Sequence, residues 1–148
     1  SVVGYQAYLE KMLEYRERYN SDFRQVLFDI PHLQAPHHQS VQILTPEYQD
    51  YMESHVRFME KNKNESKGFK DAEIFKMKRI LEWMREEKDP AWLETQRKNF
   101  YLFFSEHDRR RGTDFLQTFP EMEMFWSYCK NLAEGTTAPS VQESSAQL

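Results

Sequence analysis

Three histidines, His32, His37 and His38, fall within seven positions and form the densest group of chemically versatile side chains in the sequence. Imidazole is the commonest nitrogen ligand for transition metals and titrates nearest neutral pH. A metal site needs donors that converge, and adjacent histidines do not aim at one ion, so no metal ligand is assigned. The loop reads instead as polar contacts at the edge of a cleft, with His37, His38 and Gln42 as candidate substrate-binding residues. Farther along, Arg109, Arg110 and Arg111 could clamp a phosphate or carboxylate through two parallel bonds. Arg111 therefore joins the candidates, beside the plainer reading that all three complement a helix C-terminus and pair with acids such as Asp108 or Asp114. Glu106, Asp108 and Asp114 are ordinary surface acids and do not read as a catalytic pair. Cys129 lies on an apolar helical stripe and reads as an inert core thiol. No catalytic residue is assigned.

The elements around these residues are mostly helical. Apolar residues recur every three or four positions over about Tyr5 to Tyr19, Glu47 to Lys63, Asp71 to Glu87, Pro90 to Arg111 and Pro120 to Leu132. Two short apolar runs, Phe23 to Ile30 and Val41 to Leu44, are β-branched, aromatic and bounded by prolines, which predicts strands. Between them Pro31 and Pro36 hold the histidine loop off helical geometry. The predicted fold class is α+β, predominantly helical, with about five helices and two short strands that would complete an upstream partial (β/α) barrel. A helix leading into a buried strand is the second half of a βαβ unit. Its first strand would then lie before Ser1, and the chain would be a truncated piece. The expected domain organisation is 1–46 as the end of a barrel-like α/β unit, 47–134 as a helical C-terminal region and 135–148 as a disordered tail poor in core-forming residues.

With 148 residues the chain can build a real core. A net charge of -4 gives no bulk electrostatic reason to expect nucleic acid. The single cysteine excludes an intrachain disulfide and a cysteine-only metal cage. No apolar run approaches the roughly 18 residues of a membrane span. No signal-peptide pattern is present, and the expected location is cytoplasmic. None of the four glycines builds a phosphate-cradling loop.

Two stretches resemble a known family. VLFDIPHLQAPHHQSVQILTPEY is similar to the segment in which radical S-adenosylmethionine (radical SAM) proteins with a C-terminal twitch region end their barrel. There a strand, an irregular loop, a second strand of the "SIQxLP" type and a helix follow one another. FFSEHDRRRGTDFLQTFPEM resembles their closing motif. The matching residues are Ser40, Val41, Gln42, Ile43, Leu44 and Pro46, with an inserted Thr45, and then Asp108, Arg111, Thr113, Asp114, Phe115, Leu116, Phe119, Pro120 and Glu121. With the helices between, the resemblance spans roughly residues 5 to 132. Gly112, where asparagine often stands, and the His37-His38 pair depart from it, leaving the substrate open.

This resemblance implies a parent enzyme in which a CxxxCxxC motif holds an iron-sulfur (4Fe-4S) cluster. The cluster cleaves S-adenosyl-L-methionine to a radical that abstracts hydrogen from a substrate. The chain contains no such motif, so no cofactor is expected on it and it should not be catalytic alone. Its implied partner is the missing N-terminal barrel of the same protein. The alternative is a stand-alone helical protein-interaction module that grips a peptide or protein partner with aromatic and methionine faces. Neither nucleic acid nor membrane is an expected partner.

Overall fold

A computed structural model describes residues 1–20, 25–31 and 33–135. It contains six α-helices among the described residues: α1 (Tyr5–Tyr19), α2 (Glu47–Lys61), α3 (Asp71–Arg85), α4 (Pro90–Arg111), α5 (Phe115–Thr118) and α6 (Glu123–Glu134). Three single-turn 3-10 helices occupy His37–Gln39, Val41–Ile43 and Pro120–Met122. No strand occurs among the described residues; one isolated parallel bridge joins Lys63 to Phe69. The chain is predominantly helical, as expected.

The two predicted strands are not found. Val41–Ile43 winds into a 3-10 turn, and the reason is where its backbone bonds go. Gln42 N–H donates to Ser40 Oγ at 3.1 Å, while Ile43 and Leu44 donate locally to the Ser40 and Val41 carbonyls. The N–H groups of residues 42 to 44 are thus spent locally and are not available to a ladder. Of the first run, Phe23 and Arg24 lie outside the described residues, as do Ser21, Asp22, His32 and the tail beyond Gly135. Residues 25 to 30 are irregular. Val26 donates to Asn20 Oδ1 at 2.6 Å and its carbonyl accepts from Arg16 Nε at 3.1 Å, so side chains take the bonds a neighbouring strand would have made.

The chain forms two compact units, each made of two segments. In the first, Ser1–His32 with Glu47–Arg85, α2 packs on α1 and α3. Its buried residues include Leu9, Met12, Met52, Val56, Met59, Ile74, Met77, Leu81 and Met84. At its polar centre, the buried Arg16 makes a two-pronged pair with Glu73, both bonds 2.6 Å, and donates to the Gly68 carbonyl at 2.7 Å. The guanidinium also lies 4.6 Å from the Phe28 ring centre. Glu73 reaches back to Lys70 N–H at 2.9 Å, one half of a capping box for α3. Gly68 has no room for a side chain: a Cβ would sit 2.1 Å from the Asn62 carbonyl oxygen.

The second unit takes Leu33–Pro46 with Glu86–Leu148, of which residues 33–46 and 86–135 are described. Asp89 caps α4 by accepting from Trp92 N–H at 3.1 Å, and Pro90 opens the helix. Gly112, at φ 64°, ends it in the left-handed conformation that glycine adopts most easily. Helix α4 packs along α6, and their shared core is aromatic. Phe100 meets Phe104, Phe115, Phe125 and Trp126 at 5.0 to 6.0 Å between ring centres.

Candidate functional site

The candidate residues of the histidine loop belong to the second unit, where residues 33–46 run onto α4. Pro36 follows a cis peptide bond and precedes the 3-10 turn His37–Gln39. His37 sets its ring edge-on to Trp92 at 5.7 Å, and His38 lies tilted on Phe103 at 5.0 Å. The buried Ser40 turns the chain, its hydroxyl accepting from Gln42. The Gln42 amide donates to Glu86 at 3.3 Å. Beneath, Arg97 is 2% exposed. Its Nε donates to the Ile43 carbonyl at 2.7 Å, a second nitrogen reaches the Leu44 carbonyl at 3.5 Å, and the Tyr128 ring lies 5.6 Å away. Arg97 thus fixes the end of the loop on α4.

Burial lowers the His38 pKa, so its ring is neutral near pH 7. Its Nε2 is shielded from solvent and has no hydrogen-bond partner. Among the described residues, the two rings and their aromatic neighbours can contact a ligand but do not set a nucleophile and a base in reach of each other.

The arginine triplet divides. Arg109 holds Glu106 through bonds of 2.8 and 2.5 Å, and Arg110 holds the same carboxylate at 2.6 Å. Their bonds bring the Glu106 carboxyl down to about 2. Arg111 is exposed and makes no hydrogen bond or ion pair among the described residues. It is also remote from the histidines. Eight residues separate it from Phe103, about 12 Å along the helix axis.

The carboxylates near the triplet are structural. Asp108 accepts from Thr113 Oγ1 at 2.8 Å and Phe115 N–H at 2.9 Å, and Asp114 caps α5 through Leu116 and Gln117. Together they fold the segment after α4 into a sharp corner and seat Phe115 flat on Trp126, 4.8 Å between ring centres. Of the residues matching the closing motif, Asp108, Thr113, Asp114 and Phe115 serve this corner, Pro120 opens the next 3-10 turn, and Arg111 makes none of these bonds.

Among the described residues, no group of three or more His, Cys, Asp or Glu side chains could hold a metal ion. An iron-sulfur cluster bound by three cysteines does not fit this chain, whose single cysteine, Cys129, is fully buried in α6. No helix among the described residues is long and apolar enough to cross a membrane.

Arg16, Glu73 and Arg97 escaped the sequence reading, although a signal was present. Arg16 follows Leu9 and Met12 in the same 3-4 register, and Arg97 stands between Leu93 and Phe100 in the same way. A charge inside an apolar stripe marks a buried polar anchor.

No protein-family model, no curated protein and no solved structure matches the chain.

Proposed function

We propose that the chain is a C-terminal part of a radical SAM protein with a twitch region. It supplies a helical cover and substrate contacts through His37, His38, Gln42 and Arg111, and carries no catalysis of its own. One observation carries the reading. The middle of the first stretch, residues 33–46, and the whole of the second belong to one compact unit, in which His38 of the first rests on Phe103 of the second. The proposal dispenses with a barrel strand at Val41 to Leu44. The cluster and S-adenosylmethionine would belong to a preceding part of the protein.

Sequencing the codons upstream of Ser1 tests it. A CxxxCxxC motif roughly a hundred or more residues earlier, the length of a partial barrel, supports the reading. An in-frame start codon directly before Ser1 sinks it.

A second reading, the stand-alone interaction module, is favoured by large apolar side chains left in solvent: Phe75 is 61% exposed, Leu102 53% and Met124 78%. Under it the 148-residue chain is a soluble monomer whose residues 25 to 30 are protected from hydrogen exchange. Aggregation of the isolated chain would count against it.

A further inference from the structure

The start of α1 is fastened from outside the helix. Its N-cap, Gly4, makes no side-chain cap bond and its first turn has no acidic residue, so the usual devices that hold a first turn are missing. In their place, the Val2 carbonyl accepts from Tyr5 N–H at 3.4 Å and from His55 Nε2, on α2, at 2.6 Å. A carbonyl only accepts, so Nε2 carries the proton and Nδ1 of the neutral ring is a bare acceptor. His55 is 2% exposed, and Nδ1 has no hydrogen-bond partner. The Tyr5 ring lies 5.9 Å from the imidazole. Charging His55 means adding a proton at Nδ1, where nothing stands to receive it.

We propose that His55 is an acid-sensitive latch: neutral, it holds residues 1 to 4 and the first turn of α1 against α2; doubly protonated, it releases them. Burial lowers its proton affinity, against the smaller opposing effect of the Val2 bond, and no charged group on the N-terminal segment, α1, α2 or α3 contributes. Tyr5 is the titratable group that faces the ring. Burial first, then Tyr8 and Asp29, push its hydroxyl up to about 12, so it stays neutral while His55 titrates. The open state therefore binds a proton more readily than the closed one. Closure is complete above the free-imidazole pKa of about 6.5 and weakens as the pH falls below it.

The test is native-state hydrogen exchange on the 148-residue chain, with protection of the amides of residues 9 to 12, which donate to the carbonyls of the first turn, corrected for intrinsic rates and compared at about pH 7.5 and 5. Protection there should fall severalfold relative to α4 amides, as linkage requires of a group that binds its proton more readily in the open state. His55→Gln, whose amide can donate to Val2 without titrating, should hold protection constant over the same range. Unchanged protection in the unmodified protein overturns the proposal, as does an equal loss in His55→Gln. Ring chemical shifts give a reading that needs no variant: a His55 that titrates at or above 6.5 also overturns it.

Discussion

Among the described residues each unit buries one arginine, and each of these arginines donates to two backbone carbonyls. In the first unit the charge of Arg16 is met by Glu73, which binds both prongs of the guanidinium. In the second, the bonds from Arg97 described above run to the carbonyls of Ile43 and Leu44 and its ring neighbour is Tyr128. The cores differ too: that of the first unit is rich in methionine and aliphatic side chains, that of the second in interlocked aromatic rings. Thioether chains adapt to an irregular space, whereas rings demand particular angles. The first unit therefore concentrates its specificity in one ion pair, and the second distributes it over ring geometry.

The largest effect should come from breaking that ion pair. Glu73→Ala leaves Arg16 charged and buried, and should cost about 3–5 kcal/mol in urea-induced unfolding. The double change Arg16→Met, Glu73→Leu should recover most of that loss, because it removes both charges together. Arg97→Met should cost less, about 1.5–3 kcal/mol, for the charge-assisted bonds to the Ile43 and Leu44 carbonyls. A loss from Arg97→Met equal to that of Glu73→Ala would erase the distinction.

The two cores separate at a smaller scale. Met77→Leu conserves volume in a tolerant setting and should cost under about 1.5 kcal/mol. Phe100→Leu should exceed it by about 1 kcal/mol, because four ring partners lose their geometry. Equal costs in thermal unfolding would argue that ring angles contribute nothing. The smallest effect belongs to the surface. Glu106, with its carboxyl lowered to about 2, stabilises the end of α4 above the ordinary carboxylate pKa and loses that contribution as the pH falls through 2. Its exposure and salt screening keep the effect slight. Glu106→Gln should fray α4 only detectably, in the exchange rates of its last amides, and less at high salt.

The helices were legible because their punctuation is explicit. Asp89-Pro90 and Gly112 mark both ends of α4, and the pattern places α1 at its observed bounds. Burial was less legible. Tyr51 and Phe103, which lie on the apolar stripes of α2 and α4, are each 44% exposed, since periodicity identifies a stripe but not how wide a strip of it is covered. Val41 to Leu44 misled for a different reason. Its apolar, β-branched residues carry the composition of a strand, but a strand requires a partner, and this one is replaced by Ser40 and by an arginine 54 positions from Ile43. For the candidate site, the sequence placed His37, His38 and Gln42 together on one loop. It could not place Arg111, whose distance from them depends on where the loop lands on α4.

The connectivity of the units bears on the order in which they can be built. Residues 33–46 leave the ribosome well ahead of Arg97, while Arg16 and Glu73 are both available once α3 has been synthesised. The first unit can consolidate around its ion pair while the histidine loop, already translated, waits as an open strap for α4 to arrive. A nascent chain arrested once Arg85 has cleared the ribosome, before Arg97 has, should therefore protect Leu9 and Met77 yet leave Ile43 open to protease.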